Sequence, residues 1–131
     1  MFYRYVAYTG RGGCSNGVEH GLLTLIPLIF GQPLTESERA EFDDAVLMFS
    51  NLPAPNDVYE KYSGSVLKAW FTPAGEKKFH DACSVLSRLV NKYLTPSGYS
   101  VVNQLRIKKI KEGRKVVYAD DLQILEGCVD D

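Results

Sequence analysis

The sequence predicts an α+β fold: a mixed or antiparallel sheet of four to five strands with about three helices packed on one face. Three observations carry this. Strand-like runs open and close the chain, "FYRYVAY" first and "YSVVNQLRIKKI" with "KVVYADDLQIL" last. Two segments between them repeat apolar residues at helical spacing behind recognisable N-caps. The resulting order, β-α-α-β-α-β-β, ends in a hairpin, and one sheet covered by helices is the simplest way to bury every apolar face.

Each element has its own local reason. Phe2 to Tyr8 is rich in β-formers. Tyr3, Tyr5 and Val6 cannot share one face, so this strand is expected to be covered on both. "YTGRGGCSNG" comes next as a glycine-rich loop. Asn16 then precedes Glu19 at capping-box spacing, and Val18 to Phe30, apolar nearly all round, reads as a buried helix that Pro27 kinks or ends. Thr35 and Glu38 form a second capping box. Phe42, Ala45, Val46 and Phe49 then fall at i, i+3, i+4 and i+7. The prolines of "NLPAPND" force extended backbone, which leaves Tyr59 and Tyr62 in a loop.

"SVLKAWF" is a strand, and "TPAGEKK" starts a helix with Thr72 as N-cap and Pro73 at the first helical position. Phe79, Ala82, Cys83, Leu86, Leu89, Val90 and Tyr93 form its apolar stripe, worth roughly 1.5–3 kcal/mol per large side chain buried. "TPSG" ends that helix. The stretch from Tyr99 to Ile110 reads as one long alternating strand, "KEGR" as a turn, and "KVVYADDLQIL" as one more strand or two short ones.

Composition sets bounds. The chain has 131 residues, 45% hydrophobic and 24% charged, with net charge −1. That suits a single domain over residues 1–131 and exerts no global pull toward nucleic acid or membrane. Charge is uneven, with a balance of −4 over residues 1–65 and +3 over residues 66–131. Cys14, Cys83 and Cys128 are odd in number and widely spaced, which points away from a disulfide framework and toward a reducing, cytoplasmic setting. The longest apolar run, "GLLTLIPLIF", is too short to span a bilayer.

Two places are candidates for binding. In the glycine-rich loop, Gly10, Gly12 and Gly13 let backbone N–H groups turn toward an anion and Arg11 adds charge. Arg4 and Tyr8 stand on the strand before it, and a helix N-terminus is expected after it. The loop lacks the lysine and Ser/Thr of a Walker loop, and Ser15 stands where a dinucleotide fingerprint needs its third glycine. The second candidate is a basic hairpin. Arg106, Lys108, Lys109, Lys111, Arg114 and Lys115 lie within ten residues, with Glu112 the only acid. Arg106 and Lys108 share one strand face, and Leu105 and Ile107 the other. The plain alternative is a solvated edge strand whose lysines discourage aggregation. No aromatic side chains interleave the patch, which disfavours single-stranded nucleic acid.

Other groups carry less. His80 and Cys83 share a helix side, and Cys14 and His20 flank the expected start of the first helix, but zinc needs about four paired ligands, so neither metal nor cofactor is expected. Asp120 and Asp121 read as a turn before a strand, and Glu126 as solvent-exposed.

Three stretches resemble small uncharacterised proteins of bacteria and their phages: "NLPAPND" after an acidic helix, "AWFTPAGEKKF", and "VVYADDLQIL" with its Y-x-D-(D/E)-x-Q-(I/V) ending. The resemblance covers roughly the last 80 residues. It implies a compact α+β fold and a prokaryotic or viral setting, with no assigned activity. From the size of the chain and its lack of a catalytic motif, the favoured expectation is a small non-enzymatic binding module, and a phage-type inhibitor or an accessory protein fits both. Its partner would be an acidic protein or an anionic small molecule, met through the glycine loop or the basic hairpin. The alternative is a small enzyme acting on a nucleotide or phosphate substrate, with Arg4, Tyr8 and Arg11 around the phosphate and Asp121 or Glu126 moving protons. The all-round apolar first helix also leaves room for a second copy of the chain.

Overall fold

The structure, a computed structural model, describes residues 1–10, 17–62 and 67–128. It is α+β, as expected. Six strands lie among the described residues: β1 (Phe2–Thr9), β2 (Val18–Gly21), β3 (Lys68–Phe71), β4 (Asn103–Ile107), β5 (Arg114–Ala119) and β6 (Gln123–Cys128). Four α-helices accompany them there: α1 (Ile26–Phe30), α2 (Glu36–Phe49), α3 (Asn56–Lys61) and α4 (Pro73–Tyr93). The hydrogen-bonded strand order is β2-β1-β3-β6-β5, and β4 also pairs with β1. The pairs β1–β2, β1–β3, β3–β6 and β5–β6 are all antiparallel.

Two compact units divide the chain. One comprises Met1–Arg4, Leu52–Lys78 and Arg106–Asp131, the other Tyr5–Asn51 and Phe79–Leu105.

In the first unit, β6 lies between β3 and β5. Trp70 pairs with Ile124 on one side, and Tyr118 pairs with Leu125 on the other. An irregularity between Val116 and Tyr118 shifts the β5 register, as an extra residue in one strand does. The turn joining β5 to β6 is shaped by Asp120, whose Oδ1 accepts from Leu122 N (2.7 Å) and Gln123 N (3.0 Å). The aspartate pair is thus the turn the sequence predicts. Thr72 caps α4, accepting from Gly75 N at 3.1 Å, and its hydroxyl donates to Asp121 O at 2.6 Å. Gly75 is required here by space: a Cβ at this position would lie 1.9 Å from the Leu122 carbonyl oxygen.

In the second unit, Val6 and Ala7 are both 0% exposed, so β1 is covered on both faces in its middle. The α4 stripe packs as expected, with Phe79, Ala82, Cys83, Leu86, Leu89 and Val90 buried. Phe49 of α2 stacks on Phe79, ring centroids 5.1 Å apart. The capping box forms at the start of α2. Glu38 N donates to Thr35 Oγ1 (3.1 Å) and Thr35 N to Glu38 Oε1 (2.9 Å). These two donors would otherwise lack partners inside the helix.

Several expectations are corrected. Residues 18–30 are not one helix. Val18–Gly21 is β2, Leu22–Leu25 a 3-10 turn, and only Ile26–Phe30 is α-helical. Glu19 and His20 find ladder partners in Tyr8 and Ala7, and Pro27 sits in the first turn of α1, where its missing N–H costs nothing. Tyr59 lies on α3 and Tyr62 caps it. The strand predicted from Tyr99 to Ile110 shortens to Asn103–Ile107. Before it, side chains take the backbone groups: Ser100 Oγ accepts from Tyr8 N (2.9 Å) and Asn91 Oδ1 from Val102 N (3.0 Å). Cβ-bearing residues avoid positive φ, and Gly98 and Gly113 supply it after the 3-10 turn Thr95–Ser97 and before β5.

Candidate binding surfaces

The glycine-rich loop connects two strands. β1 and β2 run antiparallel, with Thr9 opposite Val18 and Tyr8 opposite Glu19. The helix N-terminus expected after the loop, which would have favoured an anion there, is replaced by the strand β2. Gly10 takes φ +89° at the exit of β1, while Arg11, Gly12, Gly13 and Asn16 lie outside the described residues. At the loop's base, Thr9 Oγ1 and His20 Nε2 share a hydrogen bond at 2.8 Å, and the His20 ring lies 5.3 Å from that of Tyr99. Arg4 is already engaged, since its guanidinium donates to Ala69 O at 3.1 Å. The backbone of Tyr8 is joined to Ser100 by Ser100 N donating to Tyr8 O at 2.8 Å.

The basic segment is not a hairpin. β4 pairs with β1, whereas β5 pairs with β6. The residues between them cross from one pairing to another, and Lys108, Lys109 and Lys111 are exposed along the way. Arg106 is exposed too, its guanidinium 5.8 Å from the centre of the Tyr3 ring. Lys115 projects from β5, a strand at one end of the sheet order, consistent with an edge kept soluble by charge.

Arg114 is different from its neighbours. Its Nε donates to Glu126 Oε1 at 2.5 Å and its terminal nitrogen to Glu126 O at 3.2 Å. The other Glu126 oxygen accepts from Trp70 Nε1 at 2.7 Å. Glu126 is 4% exposed, against the solvent-exposed position read from the sequence. β6 lies between β3 and β5, which bring Trp70 and Arg114 onto the carboxylate. One cation and one indole N–H satisfy the carboxylate. This network engages Arg114 and Glu126 with each other, unlike the exposed lysines of the segment.

A surface not anticipated from the sequence lies on α1 and α2. Ile26, Pro27, Phe30, Phe42, Asp43 and Val46 line a groove of about 350 Å³. Phe30 is 64% and Leu28 43% exposed. Nothing in the sequence signals it, because the apolar run breaks into short elements and α1, five residues long, leaves Phe30 in water.

His80 is exposed and meets Asp81 Oδ1 at 3.3 Å, whereas Cys83 is buried in the stripe. Among the described residues, no three or more His, Cys, Asp or Glu side chains gather as a metal would require. No helix among them is long and apolar enough to cross a membrane.

Comparison with known proteins returns no matching family model, no matching curated protein and no matching solved structure.

Proposed function

We propose that the protein is a small non-enzymatic binding module that holds an acidic protein or an anionic ligand through its cationic segment, Arg106 to Lys115. One observation supports this reading above the others. The segment is a crossover between two separately paired strands, and it carries exposed Lys108, Lys109 and Lys111. Its ends are held by β4 and β5, so the lysines are displayed from anchored backbone. Fixed positive charge of this kind steers and orients an acidic partner. The small size of the chain and its lack of a catalytic motif fit a molecule that acts by occupying another, as an inhibitor or accessory protein does.

The test is titration with poly-glutamate and with a single-stranded oligonucleotide at several salt concentrations. Binding of poly-glutamate that weakens with salt and drops about tenfold or more in K108E/K109E/K111E supports the segment as the contact. Poly-glutamate affinity unchanged in the triple variant overturns it. Tighter binding of the oligonucleotide than of poly-glutamate, with a steep salt slope, replaces the acidic protein with nucleic acid.

A further inference from the structure

We infer that the α1–α2 groove is a second docking site, independent of the cationic segment, and that its occupant is a basic amphipathic helix of a partner protein. The floor is apolar: Ile26, Pro27 and Phe30 from α1, Phe42 and Val46 from α2. Pro27 is exposed as well, and Phe30 is 64% exposed. Exposed apolar side chains gathered in one place, as opposed to scattered singly, mark an interaction surface.

The charge around it selects the partner. α2 carries Glu36, Glu38, Glu41, Asp43 and Asp44 against the single cation Arg39. Glu38 and Glu41 are already paired with Lys92 and Arg88. On a helix, Glu36, Asp43 and Leu47 fall along one side, spaced seven and four residues apart. Asp43 lines the groove itself. Arg39 lies over the Phe30 ring, 5.2 Å from its centre, and is the one positive charge on an otherwise acidic helix. An apolar channel with Asp43 on its lip, set on an acidic helix, matches a helix presenting leucines at i, i+3, i+4 and i+7 with lysine or arginine beside them.

The same features disfavour other occupants. A small molecule is held by a site that encloses most of its surface, and this groove leaves Phe30 largely in water. A second copy docked through the same groove would bring two acidic α2 helices together, each with Asp43 at the contact.

The experiment uses the full chain and two synthetic helical peptides. One is built of leucine and lysine with leucine at i, i+3, i+4 and i+7, and the other has every lysine replaced by glutamate. Fluorescence anisotropy is expected to show saturable binding of the lysine peptide and none of the glutamate peptide. F30A is expected to weaken the lysine peptide by about tenfold or more, as loss of an aromatic anchor does. D43K, which alters an exposed side chain, is expected to weaken it as well, while K108E/K109E/K111E leaves its affinity unchanged. Equal binding of the two peptides, or full affinity in both F30A and D43K, overturns the inference. So does a dimer in sedimentation experiments that F30A dissociates, since the groove would then belong to a second copy.

Discussion

Glu38 and Glu126 are built from the same parts and placed at different depths. Each carboxylate holds one cation and one aromatic donor. Glu38 accepts from Lys92 Nζ at 2.7 Å and from the Tyr93 hydroxyl, while Glu126 accepts from Arg114 and the Trp70 indole. The Glu38 side chain, at a helix N-terminus, is 15% exposed and its cation Lys92 56%, against 5% for the Glu126 side chain and 18% for Arg114. Glu126 belongs to a strand enclosed by β3 and β5. The lesson is that partner chemistry alone does not set the worth of an ion pair. The depth at which the charge would be stranded sets it.

Changes at the buried site have the largest expected effect. Glu126→Ala leaves the Arg114 guanidinium and the Trp70 N–H without their acceptor, and should cost about 3–5 kcal/mol in denaturant unfolding. A loss under about 1 kcal/mol would mean the two glutamates are equivalent after all. Next is Gly75→Ala, which forces a methyl group onto the Leu122 carbonyl and should cost about 1–3 kcal/mol. Because the obstacle is backbone, no rotamer change relieves it. Thr35→Ala removes the hydroxyl that accepts from Glu38 N and should lower stability by about 1 kcal/mol, measured by thermal unfolding.

The smallest effect is expected at the surface pair, and pH and salt expose it. The Lys92 ammonium, then the Tyr93 hydroxyl and the Thr35 backbone N–H, hold the Glu38 carboxyl down from 4.5 to about 2. A lowered folded-state value gives stabilisation that is complete above about 4.5, fades as pH falls from there to about 2, and is absent below. The stability difference between the protein and Glu38→Gln should therefore be present at neutral pH, shrink across that acid window, and shrink again in high salt. A difference that survives intact at pH 2 would show that the pairing is not its source.

Asp120 gives a third case. Partial burial pushes its carboxyl upward. Hydrogen bonds from Leu122 N, the Tyr118 hydroxyl and Gln123 outweigh that and leave it lowered. Here neutral donors do what a cation does at Glu38.

The parts of the fold legible in the sequence are those held by short-range forces. The α4 stripe and the Thr35–Glu38 box are readable because every residue needed lies within a turn or two of the helix. β2 is not, since apolar composition across Val18 to Phe30 carries no period, and the choice of strand depends on Tyr8 and Ala7 lying opposite. The burial of Glu126 is equally hidden. It depends on Trp70 of β3 and Arg114 of β5, the first of them far away in the chain. The basic segment is visible as composition. Its ends join different partners, so the hairpin drawn from nearness in sequence does not form. The groove is invisible for the converse reason: the run that forms it looks greasy enough to be covered.

The enclosed position of β6 has a kinetic consequence. Its ladder with β3 joins Lys68 to Glu126 and Phe71 to Gln123, so a long loop must close before that pairing yields any stabilisation. Residues 123–128 are also made after the five other described strands, and until they arrive β3 shows an unsatisfied edge ending in Trp70 and Phe71. Such an edge invites pairing with another chain, so the nascent protein passes through an aggregation-prone interval whose length is set by the arrival of its sixth strand.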